Sequence, residues 1–438
     1  MGLYEISSAA NKGGFMAIVD NVALYALGYA AHESHPMRLD QYCLNTVQRK
    51  YPCSDCSDAC PQNIAIDAKE INWRGCTNCN LCVTACPTQA IHESSASLDS
   101  ALAAAGTAGD VVVVACDQHK GQANVRAHCL SSIPWELIAA LALKKPVVLK
   151  VKACRECENT DLRDGVHDLL NSLKRFFGPE EFKKRIFSRV PEGAVAGSGA
   201  SKRSAFEGAM STVKRGAEEL LADEDEQRRV SHYRAILLET LQELPEEERP
   251  EVTWLTLTED GNCRGCEICS KMCPHGAIEL RIPEYAAEQK RKDIERDAKR
   301  HKMPGFAAAS STGTASTSAA FTFGPVGSTS TAKPSTKEIQ EAKEAALAAV
   351  DAELAELQAQ GVKPAFIHDA SRCTQCGLCY MSCPEENIGG WAEITTREVP
   401  AKAEHPISVQ LCEKCGRPFK PKDGETKCAA CSRMNFLR

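Results

Sequence analysis

Cysteine is the residue type whose number and spacing point to chemistry in this chain, which has 24 cysteines among its 438 residues. Between Cys76 and Pro87, four cysteines are separated by two, two and three residues and are followed by a proline. Thiolates are preferred ligands of soft metal ions and of iron–sulfur clusters. The pattern C-x2-C-x2-C-x3-C-P occurs three times intact and once with nine residues in its first gap, at Cys76, Cys79, Cys82 and Cys86; Cys263, Cys266, Cys269 and Cys273; Cys373, Cys376, Cys379 and Cys383; and Cys43, Cys53, Cys56 and Cys60.

The intact copies, CTNCNLCVTACP, CRGCEICSKMCP and CTQCGLCYMSCP, resemble the motifs of bacterial two-cluster ferredoxins. The resemblance implies two 2[4Fe-4S] ferredoxin modules, in which three cysteines of a motif bind one [4Fe-4S] cluster and the fourth binds the partner cluster. We expect the proline to mark the turn into a short helix that starts at the fourth cysteine. The isoleucine four residues after this proline is expected to pack between the clusters. The implied ligand sets are Cys43, Cys53, Cys56 and Cys86 for cluster one; Cys76, Cys79, Cys82 and Cys60 for cluster two; Cys263, Cys266, Cys269 and Cys383 for cluster three; and Cys373, Cys376, Cys379 and Cys273 for cluster four.

The sixteen cysteines of these motifs have two alternative roles, as zinc ligands or as thiols that bind no metal. Cys43 departs most from the pattern, because nine residues separate it from Cys53. If Cys43 is not a ligand, cluster one becomes a site of three cysteines, which would suit a three-iron cluster.

The last four cysteines form a different pattern, C-x2-C-x12-C-x2-C. This pattern resembles a zinc ribbon, in which two CxxC pairs hold one Zn2+ tetrahedrally and the metal folds a segment too small to fold alone. A single iron, as in rubredoxin, uses the same ligand set and is the alternative. The predicted ligands of this structural zinc site are Cys412, Cys415, Cys428 and Cys431.

The remaining four cysteines lie between the two modules, in a segment with a β–α–β pattern. DVVVVAC predicts a strand that ends at Cys116, IPWELIAALALKK a helix, and PVVLKVKACREC a second strand that ends at Cys154 and Cys157. This order implies a small parallel α/β unit, in which ligands bind beyond the carboxyl ends of the strands. We expect Cys129 to reach the other three cysteines from the loop before the helix and to complete a fifth metal site, iron–sulfur or zinc. Reduced buried cysteines or a redox disulfide between Cys154 and Cys157 are the alternatives.

These motifs divide the chain into six segments and predict an α+β fold. Residues 15–31 carry apolar residues at helical spacing, which predicts a core-facing helix or a membrane- or partner-docking one. Residues 304–335 are rich in Ala, Ser, Thr and Gly, which predicts disorder between helices at 284–302 and 336–360. The predicted segments are an N-terminal helical segment (1–42), the first ferredoxin module (43–95), the small α/β unit with four cysteines (105–180), a helical connector with linkers (181–250), the second module (251–395) with a partly disordered insertion (284–365), and the zinc-ribbon-like tail (405–438).

Several functional classes are disfavoured by the sequence. The net charge of −6 argues against a general affinity for nucleic acid. We find no transmembrane segment and no secretory signal, and the CxxC groups indicate reduced, metal-loaded thiolates in the cytoplasm. Neither a G-x-G-x-x-G that opens a helix nor a Walker A sequence is present, so no nucleotide or flavin site is expected. There is no C-x3-C-x2-C trio that would leave one iron open to a substrate, and we identify no catalytic residue.

The function that these features favour is electron transfer by four [4Fe-4S] clusters. The layout is similar to accessory iron–sulfur proteins of anaerobic bacteria, which implies a partner oxidoreductase of the molybdopterin or hydrogenase type. One alternative is an iron–sulfur enzyme in which the central four-cysteine unit binds a substrate. Another is a docking scaffold in which the insertion recruits a catalytic subunit. Whether the chain is itself an enzyme stays open, with a non-catalytic subunit favoured.

Overall fold

The computed structural model describes residues 35–47, 52–92, 109–157, 160–195, 230–299, 336–422 and 424–433. The helix expected at 15–31 and the disorder expected at 304–335 lie outside the described residues. The chain forms two compact units. Unit 1 comprises residues 1–260, 267–279 and 367–404, and unit 2 comprises residues 261–266, 280–366 and 405–438.

Helices and strands are mixed along the chain, as expected for an α+β fold. The strands are β1 (Met37–Arg38), β2 (Ile91–His92), β3 (Val112–Cys116), β4 (Val125–Ala127), β5 (Val147–Leu149), β6 (Ile186–Phe187), β7 (Val252–Glu259), β8 (Ile278–Arg281), β9 (Ala365–Asp369), β10 (Ile388–Thr396), β11 (Lys402–Pro406), β12 (Gln410–Leu411) and β13 (Pro418–Phe419). The α-helices are α1 (Leu44–Val47), α2 (Asp55–Asp58), α3 (Leu81–Ala85), α4 (Trp135–Lys144), α5 (Thr160–Arg185), α6 (His232–Glu243), α7 (Ile268–Met272), α8 (Pro283–Lys299), α9 (Thr336–Ala359), α10 (Leu378–Ser382) and α11 (Ala429–Arg433). The 3-10 helices of the described residues are η1 (Leu130–Ser132), η2 (Val151–Glu156) and η3 (Glu246–Glu248).

The strands form small sheets rather than one continuous sheet. Antiparallel pairing joins β1 to β2, β7 to β10 and β12 to β13. A three-stranded sheet has the order β11-β9-β8, and a four-stranded parallel sheet has the order β4-β3-β5-β6. No helix of the described residues has both the length and the apolar character needed to cross a bilayer.

The parallel sheet is the centre of the expected α/β unit. Cys116 at the end of β3 pairs with Ala127 of β4, and Val114 pairs with Leu149 of β5. Every residue of β3 and β5 is buried, as expected for parallel strands that are covered on both faces. The sheet has two strands more than the sequence pattern predicted.

The prediction of a second strand that ends at Cys154 and Cys157 is wrong. This strand, β5, ends at Leu149, and Cys154 lies in η2. The lysines that follow Leu149 interrupt the apolar run, so a buried strand cannot continue. A 3-10 helix has three residues per turn and therefore places residues i and i+3, the spacing of Cys154 and Cys157, on the same side.

One hydrophobic core runs through unit 1. It contains Cys56 and Cys82 of the first motifs together with residues of β3, β5, β7 and helices α4, α5 and α6. Phe176 is at its centre, with its ring centroid 5.3 Å from that of Trp135 and 5.1 Å from that of Trp254. The cysteine motifs and the parallel sheet therefore share a core and cannot pack independently of each other.

Two ion pairs join helices α4 and α6, and they differ in exposure. Arg234 Nη2 lies 3.2 Å from Glu136 Oε1, with side chains only 3% and 1% exposed. The Arg234 guanidinium also stacks between the rings of Trp135 and Trp254, at 4.9 and 5.2 Å. The second pair, Lys144 with Glu243, is 2.9 Å long and 50% and 64% exposed.

Helices α8 and α9 of unit 2 pack against each other. Ala287, Ile294 and Val350 are buried in their contact. Salt bridges join Lys290 to Glu353 and Arg291 to Asp351. The two helices expected at the ends of the insertion are therefore present, and each covers the apolar stripe of the other.

The two ion pairs between α4 and α6 lead to a test of stability. Replacing Arg234 by Met leaves the buried Glu136 carboxylate without its cation, and we expect the free energy of unfolding to fall by about 3–5 kcal/mol. The matched control is Lys144→Met, which breaks the exposed pair and should cost less than about 1 kcal/mol. Anaerobic urea unfolding, followed by the fluorescence of Trp135 and Trp254, measures both. Equal losses for the two variants would contradict the assigned role of the buried pair.

Candidate metal centres

The three intact motifs have the same local structure. Each has a residue in the left-handed region, then a five-residue helix that carries the third cysteine, then the fourth cysteine in an extended conformation. The left-handed residues are Asn80, Glu267 and Gly377, with φ of 59°, 60° and 74°, and the helices are α3, α7 and α10. In two of the motifs the second and third cysteines interact electrostatically, Cys79 with Cys82 and Cys376 with Cys379.

The expectation that a short helix starts at the fourth cysteine is wrong, because the short helix ends there. Cys86 follows α3 with ψ of 113°, and Cys273 and Cys383 follow α7 and α10 with ψ of 115°. A proline excludes the α-helical region for the residue before it. The proline of each motif therefore stops the helix and leaves the fourth cysteine in an extended conformation.

Backbone amides donate hydrogen bonds to sulfur at equivalent positions of the motifs. The amide four residues after each fourth cysteine donates to its Sγ, from Ala90 to Cys86 (3.2 Å), Ala277 to Cys273 (3.2 Å) and Asn387 to Cys383 (3.4 Å). The amide two residues after the first cysteine does the same, from Asn78 to Cys76 (3.4 Å) and Gln375 to Cys373 (3.3 Å). Amide donors stabilise anionic sulfur and help to set the potential of a bound cluster.

In the first module, the fourth cysteine of one motif is grouped with the cysteines of the other motif. Burial, followed by repulsion from the Cys86 thiolate, raises the pKa of Cys56 to about 12. The pKa of Cys53 is raised mainly by burial, with contributions from Asp55, Cys86 and Cys43. Cys43, whose ligand role was the least certain from spacing, is thus close to the group.

The second set of the first module shows the reciprocal grouping. Burial is the largest cause that raises the pKa of Cys76, and repulsion from Cys79 and Cys60 adds to it. The pKa of Cys82 is also raised, by burial first and then by thiolate repulsion from both motifs, in the order Cys79, Cys56, Cys76 and Cys60. Cys60 is thus close to the motif that starts at Cys76, and its role as a ligand of that cluster stays a prediction.

The second module repeats this grouping for one of its two sets. Burial raises the pKa of Cys373 to about 12 and that of Cys376 to about 11, and repulsion from Cys273 adds to both. The pKa of Cys379 is raised by burial first and, among other thiolates, by Cys273. The other expected set is divided between the two units, with Cys263 and Cys266 in unit 2 and Cys269 and Cys383 in unit 1, and it stays a prediction.

The raised pKa values show what these groups of thiols require. At neutral pH a buried thiol beside other thiolates holds its proton unless a cation compensates the charge. Iron bound at the same place supplies that charge and deprotonates the thiol. The four-thiol sets of unit 1 therefore fit an iron–sulfur cluster in burial, grouping and amide donors.

The four tail cysteines are closer together than the cysteines of the motifs. Their sulfur atoms all lie within 4.8 Å of one another, and Cys415 Sγ is 3.8 Å from Cys428 Sγ. A tetrahedron of sulfur atoms about 2.3 Å from one zinc has edges of about 3.8 Å. Although burial raises it, the pKa of Cys412 is lowered to about 6 by backbone amides, first that of Cys428. The tail thus fits a single tetrahedral metal ion, zinc or iron.

The central cysteines also come together, in unit 1. The Cys154 thiol interacts with those of Cys116, Cys129 and Cys157, and burial together with this repulsion raises its pKa to about 11. The four cysteines expected to lie together are thus near one another, with η2 rather than a strand carrying Cys154, and the metal site itself stays a prediction.

Sequence patterns did not identify the contact between the two modules. His275, in the PHGAI sequence, is buried and its Nε2 donates to the carbonyl oxygen of Thr88, in the PTQAI sequence, at 2.8 Å. Each of these residues is two positions after a fourth cysteine, Cys273 or Cys86. The only sequence signal for this contact is that His275 occupies the repeat position that Thr88 holds in the first module.

Comparison with known protein families supports the iron–sulfur assignment. Residues 69–92 and residues 366–388 each match a family described as a 4Fe-4S binding domain. Searches of curated proteins and of solved structures find no match to the chain. The chain therefore contains two 4Fe-4S binding domains, consistent with a ferredoxin-domain protein, and a separate cysteine cluster near its C-terminal end.

Metal content tests the tail site. Replacing Cys428 by Ser removes one of four ligands, and we expect bound zinc to fall from about one atom per chain to none while the iron content is unchanged. The matched control is Ser432→Ala, which alters an exposed hydroxyl in α11, the helix that follows Cys428, and should retain the zinc. Elemental analysis of the anaerobically purified chain makes the measurement. Loss of iron in place of zinc would identify a single-iron site instead.

Proposed function

We propose that this protein transfers electrons through four [4Fe-4S] clusters, held in two ferredoxin-like modules that exchange their fourth cysteine. The observation that carries the proposal is the grouping of Cys86 with Cys53 and Cys56, and of Cys60 with Cys76 and Cys82. The two matched 4Fe-4S binding domains support the same conclusion. The fold would then be two such modules, the α/β unit between them, a helical connector and a zinc-ribbon-like tail.

The ligands that we assign are those implied by the motif spacing. Each cluster, when bound, accepts or releases one electron at a time. The chain's own residues bury the sulfur atoms and donate amide hydrogen bonds to them. The sets are Cys43, Cys53, Cys56 and Cys86; Cys60, Cys76, Cys79 and Cys82; Cys263, Cys266, Cys269 and Cys383; and Cys273, Cys373, Cys376 and Cys379.

The hydrogen bond between His275 and Thr88 supports a relay that continues from one module to the other. It joins the residues that follow Cys86 and Cys273, which belong to cluster one and cluster four in this assignment. The His275 ring also lies 5.1 Å from the Tyr42 ring, beside Cys43. A continuous covalent and hydrogen-bonded path of a few residues thus links two of the clusters.

The partner in this proposal is a catalytic oxidoreductase in the cytoplasm of an anaerobic cell, of the molybdopterin or hydrogenase type. The support is the ferredoxin resemblance together with the absence, in the sequence, of nucleotide and flavin motifs. Zinc in the tail would have a structural role, because four thiolates leave it no open position.

A docking scaffold is the second candidate, and helices α8 and α9 favour it. They pack along a short apolar seam, which is flanked by partly exposed charged side chains such as the paired Lys290 and Glu353. A chain in which residues 283–362 are replaced by a short loop should then lose its partner while keeping its iron. Unchanged partner binding would remove this support.

Iron content and magnetic resonance test the electron-transfer proposal. The two modules should contribute about sixteen irons and the same amount of sulfide per chain, from four cubanes. Reduction by dithionite should give split EPR signals, because reduced clusters in one module interact. Reoxidation by a small acceptor should restore the original spectrum without a substrate. No more than about twelve irons, or clusters that are not reduced, would contradict the proposal.

A further inference from the structure

The parallel sheet of unit 1 brings four cysteines to one edge. Its strands β4, β3 and β5 run in the same direction, so their carboxyl ends meet at that edge. Cys116 is the last residue of β3, Cys129 is two residues after β4, and Cys154 and Cys157 follow β5 through η2. In open α/β sheets this edge is where ligands bind.

Burial and charge show that the four thiols form one group. Cys116 and Cys129 are 7% and 9% exposed. The Cys154 thiol interacts electrostatically with each of the other three.

Spacing separates this group from the tail site. Among the residues that the structure describes, three or more potential ligand atoms lie within 4.8 Å of one another only at Cys412, Cys415, Cys428 and Cys431. The central thiols interact at longer range, as do those of the ferredoxin motifs. The four cysteine sulfurs of an iron–sulfur cluster bind four different irons, or two irons in pairs. They are therefore spread more widely, as a set, than four sulfurs around one metal ion. The central group therefore resembles the motif groups.

The polar groups around the central thiols suit an anionic centre. The Ser131 hydroxyl donates to Cys129 Sγ at 3.1 Å, and hydrogen bonds to sulfur stabilise a cluster and tune its potential. Arg163 Nη2 donates to the carbonyl oxygen of Cys157 at 2.8 Å and places a positive charge beside the group.

We propose that Cys116, Cys129, Cys154 and Cys157 bind a fifth iron–sulfur cluster, rather than a zinc ion, at the carboxyl edge of the parallel sheet. The site extends the electron-transfer chain of the first module and in this respect rests on the function proposed above. One electron leaves a reduced cluster of that module, which is oxidised, and reduces the fifth cluster by one electron. No bond or proton transfer is needed.

The contact between the sheet and the first module supports this role. Thr84 lies in α3, between Cys82 and Cys86, and its hydroxyl donates to the carbonyl oxygen of Ser131 at 2.9 Å. The Ser131 hydroxyl in turn bonds Cys129 Sγ. Two residues and two hydrogen bonds thus connect the proposed fifth cluster to the module.

The test compares metal content in the full chain, purified without oxygen. Wild-type protein should contain about eighteen to twenty irons, which is two or four more than the modules supply. Cys154→Ser should lose about two or about four irons with the same number of sulfides, according to cluster size, and keep its zinc. The matched control, Cys428→Ser, should lose zinc and keep all its iron. Cys157→Ser is the second variant, and far-UV circular dichroism shows which variant keeps the fold.

Each other outcome overturns the proposal. A loss of one zinc with unchanged iron would assign the group to zinc, and unchanged iron and zinc would leave it as buried thiols. A loss of more than about four irons would mean that the group is no separate centre. If both variants fail to fold, a wild-type content of no more than about sixteen irons overturns it. The difference in iron content between wild type and Cys154→Ser does not depend on how many clusters the two modules hold. Failure of the four-cluster proposal can therefore be told apart from failure of the fifth-cluster proposal.

Discussion

The electrostatic cost of placing thiolates together in a protein interior governs this structure. Burial is the largest cause that raises the pKa of Cys56, Cys82, Cys373 and Cys379, and neighbouring thiolates raise it further. Without metal these groups would be protonated thiols, which contribute only ordinary packing. Bound iron would favour the thiolate over the protonated thiol, because it supplies positive charge where the sulfur atoms converge. Metal binding and folding of these segments are therefore coupled.

The backbone of the cysteine motifs has a repeated conformation. A left-handed residue, a five-residue helix and a proline recur in the three intact motifs, and the fourth cysteine of each follows the helix in an extended conformation. The same amide positions donate to sulfur in each copy. The core of unit 1 then fixes the motifs against the parallel sheet, and the buried pair of Arg234 and Glu136 joins two of its helices.

The sequence predicted what depends on local spacing and missed what depends on contacts between distant segments. Repeated cysteine spacing identified the motif sets and the tail, because ligand geometry constrains residues that are close in sequence. The predicted position of the short helix was wrong: the helix ends at the fourth cysteine, because the following proline disfavours a helical conformation at that residue. The end of β5 was wrong because alternating residues after Leu149 resemble a strand, whereas η2 orients Cys154. The bonds from His275 to Thr88 and from Thr84 to Ser131 join residues 187 and 47 positions apart, which no local pattern encodes.

The exchange of the fourth cysteine between motifs is the central claim, and the iron content of paired variants tests it most directly. If Cys53 and Cys86 serve one cluster, the variant Cys53→Ser/Cys86→Ser should lose about four irons, no more than either single variant. Cys76→Ser/Cys86→Ser should lose about eight, because its two cysteines serve different clusters. The reverse pattern, a loss of about eight for the first pair and about four for the second, would show that each loop binds its own cluster and would contradict the account.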